Sequence, residues 1–378
     1  MNIGTIYTLY GRRAGAEMDF EQTLKAMLAE EPAWQWTVFC NRAAHDQLES
    51  LAFPVRLVVV PWLENQYKKA FWLEFLSQKD VRRQAIDAFW NPSGCNHFPG
   101  RWPIPTLTTF HDLGEYRVKG KYGFTRTVFR KAICIPRSVR RSRAFTAVSQ
   151  STADDLRLFL GLKDVACIYP GASPFGDNAP AAAPRDAAAL LAERFSLAPG
   201  SYILTPGRTD YTGKGLDVLL NAIEKWPDAK PAILVGPRGE GHEQLEAHLA
   251  RLNSGKAAPL ATYLGRVDDD ELEALYQGAW AVVLPSRFEG FGFPALEAMQ
   301  HRIPLVASNA GSLPEVIGEA GLVFPSDSPN ALASALQRLA SEPALRDTLV
   351  AKSQAQYSKF TWEKRAVGMI AALRRILP

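Results

Sequence analysis

Residues 281–299 read AVVLPSRFEGFGFPALEAM. Val282–Leu284 is a short, unbroken apolar run, the pattern of a strand covered on both faces. Gly290 and Gly292 then let the backbone turn tightly and approach a ligand closely. Pro294 suits the first turn of a helix, where its missing N–H costs nothing, and the run ALEAMQH continues that helix. Free N–H groups at such a terminus, together with the helix dipole, form an anion site. Two glutamates frame the loop, Glu289 before the turn and Glu297 inside the helix, eight residues apart. Taken singly, Glu297 reads as dipole stabilisation worth about 0.3–1 kcal/mol, and Glu289 as a solvated loop carboxylate. Taken with the glycines, the pair can hold a polyol by its hydroxyls while backbone amides hold a phosphate.

The same strand-then-helix rhythm extends in both directions. Toward the N-terminus, Ile3–Leu9, Trp36–Phe39, Val55–Val60 and Thr106–Phe110 read as strands, and residues 20–29 as a helix. Around the glycine loop, Tyr202–Leu204, Ala232–Val235, Thr262–Leu264, Ala281–Leu284 and Leu305–Ala307 repeat the theme. Short apolar strands separated by helix-length segments predict parallel sheets. The two series predict an α/β chain with two Rossmann-like domains. Residues 179–189 (APAAAPRDAAA) are Ala or Pro at nine of eleven positions, which reads as linker or as the start of the helix AALLAERF, and the hinge is placed near 172–198. Near the C-terminus, TWEKRAVGMIAALRRIL is amphipathic, with Ala366, Met369, Ile370 and Leu373 on one face.

Composition narrows the function. With 378 residues, 47% hydrophobic and 22% charged, the chain is globular rather than disordered. No uncharged apolar run reaches the roughly 18–20 residues of a membrane span. The first residues lack a basic stretch before their apolar run, so no signal peptide is expected. Cys40, Cys95, Cys134 and Cys167 lie far apart with no CxxC pair, which argues for a reducing compartment and against a zinc knuckle or disulfide scaffold. A net charge of +4 is too small to imply nucleic acid.

The cations are unevenly placed. Arg208 and Lys214 follow the strand YILTP in a loop with Gly207, Gly213 and Gly215, where a planar fork and a point charge can converge on one diphosphate. Residues 117–143 hold ten Lys or Arg and no Asp or Glu, interleaved with Phe124, Val128, Phe129 and Ile133. Such a stretch suits an anionic membrane surface at about 1 kcal/mol per cation. QYKKAFWLEFL (66–76) adds Phe71 and Trp72 beside two lysines. A solvated helix face gives the same pattern.

His111-Asp112 closes the strand TLTTF, at the carboxyl end where open α/β sheets carry ligand-facing residues. An HD dipeptide also serves metal phosphohydrolases, but no second His/Asp set sits at matching spacing. Gly11 and Gly15 follow the first strand without forming GxGxxG, so a dinucleotide site is not expected. Asp268-Asp269-Asp270 reads as the capping start of a helix rather than as a metal motif.

Glu289-GFGFPAL-Glu297 resembles the E-x7-E motif of retaining family 4 glycosyltransferases of the GT-B class. Residues 207–223 resemble that family's diphosphate segment, 264–279 and 304–325 its flanking patterns, and 147–156 the end of its first domain. The resemblance implies two Rossmann-like domains facing each other across a cleft: an acceptor domain at 1–175, with the helix 357–378 packing back on it, and a nucleotide-sugar domain at 176–356. It implies that Arg208 and Lys214 bind the donor diphosphate and stabilise the leaving group, that Glu289 sits by the donor sugar, and that Glu297 takes the ribose hydroxyls. The backbone of Gly290, Phe291, Gly292 and Phe293 would touch sugar and phosphate, with Val267 near the base. His111 would reach the donor sugar, and Asp112 is a further active-site candidate. The family carries paired glycines near the phosphates where this chain has Gly15 alone.

The implied reaction is metal-independent transfer of a hexose with retention, with the nucleotide sugar as co-substrate and no cofactor. The expected donor is GDP-mannose, and the expected acceptor is a lipid-linked or glycan hydroxyl in cell-surface polysaccharide or lipopolysaccharide O-antigen assembly. The alternatives are UDP-glucose or another UDP-hexose, or a non-catalytic nucleotide-sugar-binding protein. The expected location is cytoplasmic, with peripheral contact to anionic membrane through 117–143 and none with nucleic acid.

Overall fold

The computed structural model describes residues 1–11, 15–118, 120, 123–172, 186–226 and 228–377. The chain divides into two compact units. The first comprises Met1–Tyr116, Phe124–Gly171 and Phe360–Pro378; the second comprises Arg117–Gly123 and Ala172–Lys359. Of the hinge segment read from the sequence, residues 173–185 lie outside the described residues. The alanines beyond it are helical: Asp186 Oδ1 accepts from Ala189 N–H at 2.9 Å and starts the helix Ala187–Phe195.

Among the described residues the first unit is built on seven parallel strands: β1 (Asn2–Tyr7), β2 (Gln35–Cys40), β3 (Arg56–Val59), β4 (Ala88–Asn91), β5 (Thr106–Phe110), β6 (Ala144–Ala147) and β7 (Val165–Cys167). Their order is β3-β2-β1-β4-β5-β6-β7. The second unit has β8 (Ile203–Pro206), β9 (Ala232–Val235), β10 (Ala261–Gly265), β11 (Ala281–Leu284), β12 (Leu305–Ser308) and β13 (Gly321–Phe324), in the order β10-β9-β8-β11-β12-β13. Each sheet winds outward from its first strand in both directions. The strand order therefore reverses between β1 and β4, and again between β8 and β11, and the carboxyl ends of those strands are where an open α/β sheet receives ligands.

The central strands of both sheets are covered on both faces, which is why those of the second sheet are almost wholly apolar. β8, β9, β11 and β12 are buried at every position. The first unit's main core is aromatic: Trp36 meets Trp90 edge-on at 6.3 Å, and Phe20 stacks on both Trp90 and Tyr7. The helix Trp362–Ile376 buries Ala366, Met369, Ile370 and Leu373 in that core, against Phe20, Leu24 and Met27 of the helix Gly15–Glu30. Between these helices Arg365 Nη2 donates to Asp19 Oδ2 at 2.8 Å, both residues 1% exposed or less.

The basic stretch is partly used up inside the first unit. Arg130 is buried and bonds Glu115, Asp112 and Asn96. Arg137 and Arg141 join Arg101 around Glu74. Burial opposes ionisation of that carboxyl, but the three guanidinium groups win and bring it down to about 2.

Candidate active site

The second sheet's reversal point is built by two loops. After β8, the chain from Gly207 to Gly215 carries Arg208 and Lys214 into the helix Leu216–Glu224. Gly215 has φ +62°, and a Cβ there would stand 2.0 Å from the Pro285 carbonyl oxygen, so only glycine lets this loop press against the loop leaving β11. That contact brings Lys214 Nζ to 2.6 Å from Glu289 Oε1. Ser286 Oγ donates to the same carboxylate oxygen at 2.6 Å. Gly207, Arg208, Lys214, Ser286 and Glu289 line one narrow crevice of about 10 Å³.

Arg208 is aimed by Asp210, whose Oδ2 accepts from Nε at 3.1 Å and Nη2 at 2.9 Å. Asp210 is buried, and its other oxygen accepts from the Glu240 backbone N–H at 2.9 Å, which fixes it. Arg287 ties the two loops together. It holds Asp217 with two bonds, at 2.7 and 2.8 Å, and donates to the Thr212 carbonyl at 2.6 Å.

Beyond Glu289, Gly292 takes φ +96° and starts the helix Phe293–Gln300 with no side-chain cap; Pro294 brings no N–H, and the Ala295 N–H bonds the Gly292 carbonyl at 2.9 Å. Gly290 is not in the left-handed region, so the two glycines differ in role. Phe291 is buried edge-on to Phe293, and its carbonyl accepts from Ser312 Oγ at 2.7 Å. Glu297 is buried at 8% exposure, and the Tyr276 hydroxyl donates to its Oε2. Burial pushes the Glu297 carboxyl upward, against the pull of the tyrosine bond. His301 stacks on Tyr276 at 5.3 Å and sets Nε2 3.2 Å from Glu273. Val267 follows β10 and is half-buried. The residues just before it, with Pro237, Arg238 and Tyr263, border an open cavity of about 530 Å³.

The other sequence-derived residues belong to the first unit. His111 leaves β5, and its Nε2 lies 2.9 Å from the Pro92 carbonyl oxygen. A carbonyl only accepts, so Nε2 carries a proton here. Asp112 Oδ1 accepts from the Gly114 N–H at 2.9 Å and from Arg130 at 3.2 Å, so this carboxylate is engaged locally. Gly15 opens the helix Gly15–Glu30; residues 12–14 before it lie outside the described residues. Among the described residues, His45, Asp46 and Glu49 are the one metal-spaced group, and none of the residues above belongs to it.

The structure thus brings together Arg208, Lys214 and Glu289, and places Glu297 one helical stretch beyond. The sequence reading did not single out the residues that aim them: Asp210, Ser286, Tyr276 and Arg287. Asp210 and Ser286 lie inside the quoted motifs, two residues after Arg208 and three before Glu289, so proximity was the available signal. Tyr276 gave none, because a tyrosine in a helix reads as core.

The architecture is α/β of the GT-B type. Among solved structures it is similar to Anabaena Alr3699/HepE in complex with UDP and glucose, with TM-score 0.73 and 20% identity over 99% of this chain and 100% of that one. Residues 200–342 match the family described as "Glycosyl transferases group 1", and residues 22–174 match "Glycosyltransferase Family 4". The chain belongs to these family 4, group 1 glycosyltransferases. It is 34% identical to the O-antigen chain mannosyltransferase B of Escherichia coli over 48% of each chain. It is 28% identical to a D-inositol 3-phosphate glycosyltransferase of Streptomyces bingchenggensis over 70% of this chain and 60% of the other. The chain spans about half to three fifths of the length of these curated relatives.

Proposed function

We propose that the protein is a retaining, metal-independent hexosyltransferase that moves mannose from GDP-mannose to an acceptor hydroxyl in cell-surface polysaccharide or O-antigen assembly. The observation that carries this reading is the convergence of Arg208, Lys214 and Glu289 on one crevice at the reversal point of the second sheet. The likeness to an O-antigen mannosyltransferase supports the choice of donor and acceptor.

In this reading the donor diphosphate draws Lys214 away from Glu289. Arg208 grips the same diphosphate as a fork, and the freed Glu289 carboxylate accepts from the sugar hydroxyls. The bond from the anomeric carbon to the β-phosphate oxygen breaks, and the charge that develops on that oxygen is held by Arg208 and Lys214. The acceptor hydroxyl bonds to the same face of the sugar and gives its proton to the leaving phosphate. Glu297, oriented by Tyr276, holds the ribose, and the backbone of Gly292 and Phe293 supplies N–H groups to sugar and phosphate. His111 reaches the donor sugar, and the first unit binds the acceptor. The exposed cations of 117–143, Arg140 and Arg143 among them, give the first unit peripheral contact with an anionic membrane. No helix among the described residues is long and apolar enough to cross one.

A second reading, with UDP-glucose or another UDP-hexose as donor, is supported by the likeness to a protein whose structure holds UDP and glucose. One experiment tests both. The protein is incubated with GDP-mannose and with UDP-glucose, each together with a bacterial membrane fraction carrying lipid-linked glycans as acceptor, and free GDP or UDP is measured for wild type and Glu289→Ala. Release from GDP-mannose, reduced about 100-fold in the variant, is expected. Release from UDP-glucose alone selects the second reading, and no release from either donor overturns both.

A further inference from the structure

The first sheet reverses its strand order between β1 and β4, and the mechanism above gives that point no role. Thr8 follows β1, and His97 follows β4 by six residues. Lys69, from the helix Gln66–Phe71, reaches the same place. Its Nζ lies 3.5 Å from Thr8 Oγ1 and 5.1 Å from the centre of the Tyr10 ring. His97 Nε2 lies 3.3 Å from the same hydroxyl, and its Nδ1 is buried with no hydrogen-bond partner. Lys69 is 4% exposed and His97 9%.

Lys69 is unusual among its peers. Three cationic side chains are buried among the described residues: Lys69, Arg130 and Arg365. Arg130 has Glu115 at 3.0 Å, and Arg365 has Asp19 at 2.8 Å. No carboxylate of the described residues stands within 4.0 Å of Lys69. An ammonium can donate three hydrogen bonds, and here one distant hydroxyl and one aromatic face receive it. Burying a charge without partners is costly, and burial brings this ammonium down to about 8. Burial and the nearby charges of Lys69 and His111 likewise hold His97 well below its usual range. Lys69 Nζ and His97 Nε2 therefore meet at one hydroxyl, with the ammonium under-bonded and the far ring nitrogen Nδ1 unpartnered, at the sheet position where ligands dock. Tyr10, whose ring faces the Lys69 ammonium, is itself half exposed.

We propose that Lys69 and His97, with Thr8 between them, form an oxyanion site that takes a phosphate group carried by the acceptor. The inference rests on the reading that the first unit binds the acceptor. A phosphate oxygen would give the ammonium the partner it lacks and accept from the imidazole and the threonine. His111, just after the neighbouring β5, is within electrostatic reach of His97.

The test is calorimetric titration of the full chain with inorganic phosphate, with GDP or UDP present in excess to occupy the Arg208–Lys214 crevice. A parallel titration uses acetate. Wild type is expected to bind one phosphate, and Lys69→Met to bind it at least 10-fold more weakly. His97→Asn is expected to weaken it several-fold. The Lys69→Met melting temperature should be no lower than wild type, because no carboxylate loses its partner. Acetate binding as tight as phosphate would make a carboxylate the anion and overturn the phosphate assignment. Absence of phosphate binding in wild type, or unchanged binding in both variants, overturns the site. If phosphate binds as described while no nucleotide sugar is consumed, the site stands and the transferase reading fails. If sugar is consumed and phosphate is not bound, the reverse holds.

Discussion

Both sheets wind outward from a first strand, and both place a lysine where the winding reverses, but the two lysines are kept differently. Lys214 is partly exposed and paired with Glu289 at 2.6 Å. Lys69 is buried and has a hydroxyl at 3.5 Å. A cation paired with a carboxylate at the edge of solvent costs the fold little, and a diphosphate with more charge can take it over. A buried cation with no carboxylate strains the fold until something fills its valence. The first arrangement stores a ligand's place with an internal substitute; the second leaves the place to the ligand. The contrast can be broken or sharpened by changing one partner at a time.

The largest effect is expected where a buried cation does have a carboxylate. Asp19→Ala leaves Arg365 buried without its partner and should cost about 3–5 kcal/mol of stability, read as a lower denaturant midpoint at unchanged slope. A loss under 1 kcal/mol would mean that buried cations in this unit do not need carboxylates, and the argument about Lys69 would lose its premise. Next comes Lys214→Met. Removing one of two cations from the developing phosphate charge should lower nucleotide release by about 10²–10³-fold, or about 2.7–4 kcal/mol. A loss under tenfold would assign Lys214 to structure.

The sequence made the second lysine legible and hid the first. Lys214 sits in GRTDYTGKG, where glycines and cations in a short window announce a phosphate loop. Glu289 and Glu297 announce themselves in the same way around Gly290 and Gly292. Lys69 lies in QYKKAFWLEFL, which reads as a basic, aromatic surface face. Nothing local says that the second of its two lysines is 4% exposed. His97 and Thr8 are 89 residues apart, and only the pairing of β1 with β4 makes them neighbours. The fold followed a similar division. Strands such as Val282–Leu284 were apparent from unbroken apolar runs. Those missed, β4 (AFWN), β6 (AFTA), β7 (VAC) and β13 (GLVF), are three or four residues long and carry Ala, Thr, Asn or Gly. Their burial comes from neighbours supplied by distant sequence.

A smaller effect is expected one step back from the nucleotide. Tyr276→Phe removes the hydroxyl that orients Glu297 and lets its carboxyl rise further, since that bond, more than the nearby His301, pulls it down. GDP affinity, or UDP affinity if that is the base, should fall about tenfold, the effect of losing a bond of about 1.5 kcal/mol to a charged acceptor. Affinity unchanged by this variant would place Glu297 in the core rather than on the ribose.

The smallest effect is a slope. The Lys69 ammonium titrates near pH 8 in the fold and near 10.4 in an unfolded chain. Between those values the unfolded chain holds the proton and the fold does not, so stability from this group rises with pH. The rise cannot exceed about 1.4 kcal/mol per pH unit for one proton. The groups around it leave that window clear. Tyr10 and Cys134 are both pushed up to about 12, chiefly by burial, and His97 is already neutral. Glu17 favours the ammonium, though less than burial opposes it. Denaturation at pH 7.5, 9 and 10.5 should therefore show Lys69→Met gaining on wild type at the lowest pH, with the advantage fading by the highest. Parallel curves for the two proteins would mean that Lys69 keeps its proton at no cost, which requires an anionic partner already inside the fold and erases the difference between the two lysines.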